Sequence, residues 1–273
     1  MSDVRSELTD AMQRIGDGFD AELLLLHALG KPRSWLIAHA HDALDIDVQT
    51  AYRALVDRRV RGEPVAYIIG RRGFWSLDLE VTPDTLIPRP ETELLVELAL
   101  ERLPRGTTAQ VADLGTGSGA IALAIASARP QASITATDAS AAALKVAIGN
   151  ARRLCIGNVD FVHGDWLAPL SLRRFALIVS NPPYIEAGDP HLARGDLRFE
   201  PSSALVSGED GLHDIRCVVA GARAHLEPGG WLLFEHGWNQ ADAARALLRE
   251  AGYAKVFTAP DLEGRDRVSG GCG

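Results

Sequence analysis

Cysteine is scarce in this chain, and its scarcity sets the first boundary. Cys155, Cys217 and Cys272 are widely spaced and odd in number among 273 residues. Such a set suits neither a disulfide framework nor a thiolate metal site, and it fits a reducing compartment. None of the eight histidines stands in a ligand pattern, so no metal is expected. Long apolar runs are also missing: none approaches the roughly 18 residues that a membrane-spanning helix requires. The first thirty residues hold too many Asp, Glu and Arg for a signal peptide. A cytoplasmic location without a membrane partner is therefore expected. Positive charge is in deficit, with 28 Lys+Arg against 36 Asp+Glu and a net charge of −8. That argues against the basic footprint of direct nucleic-acid binding. Internal repeats and low-complexity segments are absent as well. What the chain does have is 47% hydrophobic residues, enough for a sizeable core in one large domain or a small one plus a medium one.

Residues 1–70 read as helices throughout. Asp20 to Leu26 is strongly helical and is stopped by Gly30 and Pro32. Ser34 is a candidate cap for a short second helix and Asp47 for a third, in which Val48, Tyr52, Leu55 and Val56 recur at helical spacing. Pro64 suits the first turn of another, ending at Gly70. Arg53, Arg58, Arg59, Arg61, Arg71 and Arg72 form a basic run, yet residues 1–75 contain ten basic and eleven acidic side chains. A solvated face and a docking face both remain open for it. Trp75 to Val81 then alternates with period two and reads as a strand, with Leu86-Ile87 as its return in a hairpin. The expected organisation is a helical bundle over 1–73, assigned to substrate recognition, a hairpin linker over 74–90, and a catalytic domain over 91–273.

Beyond residue 91 the rhythm is strand–helix. Strands are expected at 109–114, 133–138, 159–163, 177–180, 231–235, 254–257 and 267–269, with helices between most of them. That alternation predicts an α/β fold, a mainly parallel seven-stranded sheet covered on both faces.

The chemistry-bearing residues gather at predicted strand ends. Val111 to Gly119 is a strand, a glycine-rich turn and a helix start, with Gly115, Gly117 and Gly119 separated by Thr116 and Ser118. The Gly-x-Gly-x-Gly spacing differs from the Gly-x-Gly-x-x-Gly of dinucleotide binders. Asp113 would repel a pyrophosphate but suits a ligand bearing an ammonium group. Asp138 ends the next strand, where an acidic residue accepts ribose hydroxyls in other nucleotide-binding α/β folds. Asp165 suits an exocyclic adenine amine, and Trp166 offers a stacking face and a backbone donor. A ribose, an adenine and an ammonium-bearing tail without phosphates together describe S-adenosyl-L-methionine. Taken singly, Asp113 and Asp138 also read as helix caps, and Trp166 as a core residue.

The fourth strand runs into Asn181-Pro182-Pro183-Tyr184. Two prolines stop any regular element and stiffen the loop. An amide side chain and an aromatic ring on such a loop can grip a planar NH2 group. A plain turn opened by Asn uses the same residues.

These motifs together, with Ile87-Pro-Arg-Pro-Glu-Thr-Glu93, Arg198-Phe-Glu-Pro201 and the helical segment holding Glu63-Pro64-Val-Ala-Tyr67, resemble the bacterial peptide-chain release factor glutamine N5-methyltransferases over nearly the whole chain. The resemblance implies a Rossmann-like class I methyltransferase domain. It also implies methyl transfer from S-adenosyl-L-methionine to the glutamine amide in the Gly-Gly-Gln loop of class I release factors, with S-adenosyl-L-homocysteine as product. Asn181 and Pro182 would then accept the amide protons, Tyr184 would stack on the amide plane, Pro183 would join them in binding the substrate, and Asn181 would also contact the cofactor. The Asn-Pro-Pro-Tyr motif is shared with DNA adenine methyltransferases, which makes that activity the alternative. Arg89 and Glu200 are candidates either for holding the substrate peptide or for bracing the loops. The glycine-rich tail from Arg267 to Gly273 departs from the more apolar end expected.

Overall fold

The computed structural model describes residues 3–171 and 173–273; the helical reading of residues 1 and 2 lies outside that range. The chain divides into two compact units, one running to Arg71 and including Ala193–Phe199, the other made of Arg72–Leu192 and Glu200–Gly273.

The first unit contains α1 (Val4–Ile15), α2 (Gly18–Leu29), α3 (Arg33–Ala38), α4 (Ile46–Val60) and α5 (Val65–Ile69). Aspartates start three of them: the side chains of Asp3, Asp17 and Asp45 accept backbone amides of the first turns of α1, α2 and α4. Asp45, not Asp47, thus caps α4, because its carboxylate reaches the Asp47 amide. Ser34 lies inside α3, whose first residue follows Pro32 without a side-chain cap. Ala21, Leu24, Leu25, Tyr52 and Val56 form the core, and the Tyr52 hydroxyl is satisfied by the Ala21 carbonyl at 3.1 Å. Much of the arginine run is paired within this unit: Arg53 with Glu7, Arg58 with Glu63, and Arg59 with both Asp20 and Asp196.

A hairpin follows α5 in the chain, and it differs from the expected one. Its strands are β1 (Arg71–Phe74) and β2 (Leu77–Glu80), and Leu86-Ile87 is irregular. Trp75 and Ser76 form the turn, with Trp75 at φ 57°. In β1 only Phe74 is buried, so the arginines hide the strand from any apolar pattern.

The main sheet uses β3 (Gln110–Leu114), β4 (Ser133–Asp138), β5 (Val159–His163), β6 (Phe175–Ser180), β7 (Leu226–Glu235), β8 (Ala254–Pro260) and β9 (Asp266–Cys272). Their order is β5-β4-β3-β6-β7-β9-β8, with β9 antiparallel to both neighbours and the others parallel. One face carries α6 (Glu93–Arg102), α7 (Ala120–Ala128) and α8 (Ala141–Arg153), through residues such as Leu95, Leu123 and Ala151. The other carries α9 (His213–Ala222) and α10 (Ala241–Glu250), through Ile215, Val218 and Leu248. Double coverage explains why β3 is buried along nearly its whole length.

The glycine-rich tail is a full strand. A Cβ on Gly270 would lie 2.5 Å from Leu233 Cδ2 and 2.6 Å from the Leu232 carbonyl oxygen. Glycine is therefore what lets β9 slide between β7 and β8, where an apolar side chain would collide. Chain order reverses between β3 and β6: β4 and β5 follow to one side, and β7 lies to the other. Ligands of open α/β sheets bind at that switch point, outside the strands' carboxyl ends.

Candidate active site

The glycine-rich loop joins β3 to α7 at this switch point. The amides of Gly115 and Thr116 both donate to the Thr137 carbonyl at 2.9 Å, tying the loop to the end of β4. Gly115 sits at φ 73°, and a Cβ there would approach the Trp166 ring to 3.2 Å. A side chain would thus be strained and would crowd the loop floor. Asp113 lies beneath, fully buried. Its Oδ2 accepts the Thr116 hydroxyl at 2.7 Å and the Ala122 amide at 3.1 Å. Its Oδ1 is buried without a partner. Burial pushes this carboxyl up to about 7, against the two hydrogen bonds that favour its ionised form.

Asp138 Oδ2 accepts the Gly117 amide and Oδ1 the Ser140 amide, both at 2.8 Å. The carboxylate shapes the loop while each oxygen keeps a free lone pair. Trp166 adopts φ 44°, held by the Thr137 hydroxyl, which donates to its carbonyl at 2.9 Å. One cleft brings together Gly115, Thr116, Gly117, Ser118, Asp138, Asp165, Trp166, Asn181 and Pro183 from four separate chain segments. Asp113, Gly119, Pro182 and Tyr184 do not line it: Asp113 is under the loop, and Gly119 is the residue from which α7 starts.

Asn181 follows β6 directly, and the Ser180 hydroxyl donates to the Leu114 carbonyl at 2.8 Å, joining the two strand ends. The Asn181 Nδ2 donates to Thr92 Oγ1 at 3.2 Å. Thr92 in turn donates to Glu235 Oε2 at 2.7 Å, and the Tyr184 hydroxyl donates to Glu235 Oε1 at 3.1 Å. Gln240 Nε2 holds the Tyr184 carbonyl at 3.0 Å. Tyr184 is therefore anchored by its hydroxyl, with its ring only part-buried. Burial raises both the Glu235 carboxyl and the Tyr184 phenol, the latter also through the adjacent Glu235 charge. Among the described residues no donor reaches Asn181 Oδ1 or the Pro182 carbonyl. Glu200 accepts the Ile87 amide at 3.0 Å and pairs with Arg89, so this pair braces the 87–89 segment.

Sequence reading missed Thr92, Glu235 and Gln240 as parts of the site. A signal existed for Glu235: an acidic residue closing the apolar run Trp231-Leu232-Leu233-Phe234 at the sheet's carboxyl edge. Among the described residues there is no cluster of three or more His, Cys, Asp or Glu able to hold a metal, and no helix long and apolar enough to cross a membrane. The cleft does suit S-adenosyl-L-methionine: an acidic pair at its wall, an aromatic face, and below the loop an unpartnered carboxylate oxygen favouring a cationic ligand.

Residues 3–70 match the family model described as the PrmC N-terminal domain, and residues 91–196 match the methyltransferase small domain. The release factor glutamine methyltransferase of Xylella fastidiosa (strain 9a5c) is 58% identical over 264 residues, spanning 97% of this chain and 96% of its own. That of Pseudomonas aeruginosa is 54% identical over 250 residues, spanning 92% and 90%. Among solved structures, a methyltransferase from Pyrococcus furiosus shares the fold at 21% identity, with a TM-score of 0.55 over 79% of this chain and 95% of that one. On this likeness across nearly its full length, the chain belongs to the release factor glutamine methyltransferase family.

Proposed function

We propose that the protein transfers a methyl group from S-adenosyl-L-methionine to the side-chain amide nitrogen of the glutamine in the Gly-Gly-Gln loop of class I release factors. The observation that carries this reading is the pair of unspent acceptors, Asn181 Oδ1 and the Pro182 carbonyl, on a rigid loop beside a cleft suited to that cofactor. An NH2 group offers two donors, and these are two acceptors.

An amide nitrogen is a poor nucleophile because its lone pair is delocalised into the carbonyl. The cofactor supplies an electrophilic methyl on a positively charged sulfur. The chain's part is positioning and electrostatics. Asn181 Oδ1 and the Pro182 carbonyl accept hydrogen bonds from the two amide N–H groups and localise electron density on nitrogen. The nitrogen–methyl bond would form as the sulfur–methyl bond breaks, leaving S-adenosyl-L-homocysteine, with one amide proton lost to water. The Tyr184 ring, anchored through Glu235, lies against the amide plane and limits its approach, and Pro183 stiffens the loop. Asp138 accepts the ribose hydroxyls, Asp165 the adenine amine, and Trp166 stacks. Gly115, Thr116, Gly117 and Ser118 bring backbone close to the cofactor, Gly119 turns the chain into α7 behind them, and Asp113 balances the cofactor's charge from below. In this reading the bundle over 1–73 recognises the release factor, and 74–90 links it to the catalytic domain over 91–273.

Asp138→Ala is expected to weaken cofactor binding by roughly 1–3 kcal/mol, the consequence of leaving hydrogen-bonding groups unpaired. Calorimetry checks it, and unchanged affinity would remove Asp138 from the ribose. The function itself is tested by offering labelled cofactor with either purified release factor or duplex DNA. Label in the release factor alone is the expected result; label in DNA alone favours the adenine methyltransferase alternative.

A further inference from the structure

The hydrogen-bond chain behind Asn181 has a direction, and the direction follows from counting protons. Glu235 is buried, with both carboxylate oxygens engaged, Oε1 by the Tyr184 hydroxyl and Oε2 by Thr92. In the structure the Thr92 hydroxyl gives its one proton to Glu235 Oε2. That direction belongs to the ionised carboxylate, which burial disfavours and which the Thr92 and Tyr184 hydroxyls and the Arg267 charge favour. With that proton committed to Glu235, the Thr92 oxygen can only accept from Asn181. The group facing Thr92 must therefore be the Asn181 amide nitrogen, at 3.2 Å. Because the amide is planar, its oxygen is the end left for a ligand. An asparagine without this constraint has two nearly isosteric orientations, one presenting an acceptor and the other a donor. Only the first can receive a substrate N–H.

We infer that Thr92 and Glu235 are positioning residues that lock the Asn181 amide with its oxygen toward the reacting nitrogen, which makes the loop selective for a donor NH2 group. The inference rests on the proposed glutamine-amide reading. Thr92 is suited to the part: it is 4% exposed, and it stands at the start of α6, so its hydroxyl has a fixed place. Tyr184 completes the lock from the other side, since its proton on Oε1 leaves Oε2 for Thr92 alone.

Three variants test this in the full-length protein with release factor and labelled cofactor. Thr92→Val removes the hydroxyl at nearly constant volume, Thr92→Ser retains it, and Glu235→Gln supplies a donor that must face one of the two hydroxyls. Thr92→Val and Glu235→Gln are expected to lower kcat at saturating release factor by about 10- to 100-fold, the scale of a misplaced reacting group. Cofactor affinity by calorimetry should stay within about threefold for both, and Thr92→Ser should stay within about threefold of wild-type kcat, because hydrogen bonding and not packing is at stake. On an Asn181→Ala background, Thr92→Val should add no further loss, as coupled residues do not add. Wild-type kcat in Thr92→Val, an equal loss in Thr92→Ser, or full additivity with Asn181→Ala overturns the inference. Should Thr92→Val fail to bind cofactor, Glu235→Gln decides by the same threshold. A wild-type protein that transfers no methyl to release factor overturns instead the reading beneath it, and the two failures are therefore distinct.

Discussion

Replacing Asn181 with Ala is expected to lower single-turnover methyl transfer to release factor by on the order of 10²–10³, the scale of losing one transition-state hydrogen bond. The loop backbone should hold its place, since Pro182 and Pro183 fix two φ angles and Gln240 holds the Tyr184 carbonyl. The Ser180 hydroxyl still joins β6 to β3. What disappears is one acceptor for the substrate amide and its alignment on the methyl group. Cofactor affinity should change much less, because the glycine loop, Asp138 and Trp166 are untouched. Asn181→Asp is the informative companion. It keeps an acceptor but adds a charge, and Thr92 would then face a carboxylate while already committed to Glu235. Single-turnover rates for wild type and both variants check the prediction. A rate for Asn181→Ala within about threefold of wild type, far below the loss of a transition-state contact, reduces the loop to a turn.

Asp113→Asn is expected to move stability and cofactor binding in opposite directions. Burial raises the Asp113 carboxyl from 3.8 to about 7. Below about pH 4 the folded and unfolded chains both carry its proton. Between about pH 4 and 7 only the folded chain retains it, so its stabilising contribution is lost as pH rises through 7. Above 7 the free protein holds a buried charge, at a cost on the order of 4 kcal/mol for a shift of about three pK units. Asn removes that charge, so the unliganded variant should melt higher than wild type at pH 8 and lose the share of the pH dependence that Asp113 contributes. A cationic cofactor, by contrast, favours the ionised carboxylate. Its affinity should fall in wild type as pH drops below 7, and by about 10- to 100-fold in the variant at pH 8, as for a charge acting from beneath the loop without touching the ligand. Thermal melts and calorimetry at pH 6 and 8 measure both. A higher melting temperature with unchanged affinity would leave Asp113 only its bracing of Thr116 and Ala122.

Much of the fold is legible because its signals are local. The run from Val111 to Gly119 announces strand, turn and helix, and parallel strands buried on both faces appear as short apolar runs. Signals that depend on a distant partner are not legible. The arginines of β1 conceal a strand that only its hairpin neighbour defines. Gly270 looks like a loop residue until Leu232 and Leu233 are seen against it. The site divides in the same way. Gly115, Asp138, Trp166 and Asn181 are each marked by a motif at a strand end. Asp113 belongs to the same motif, yet its placement beneath the loop follows from a strand covered on both sides. Thr92 and Glu235 are 143 residues apart and meet only through the sheet, so no spacing rule could join them to Asn181. Likewise, Ala193–Phe199 groups with the bundle, where Arg59 reaches Asp196 and Arg198 reaches the Arg61 carbonyl, each across 137 residues.

The most direct test is to find where the methyl group lands. Release factor incubated with the wild-type protein and labelled S-adenosyl-L-methionine would be digested, and its peptides sequenced by mass spectrometry. The account predicts one methyl on the side-chain nitrogen of the glutamine in Gly-Gly-Gln, and none on a release factor in which that glutamine is replaced by glutamate. A methyl on a carboxylate, a lysine or any other residue, or undiminished labelling of the glutamate variant, would contradict it.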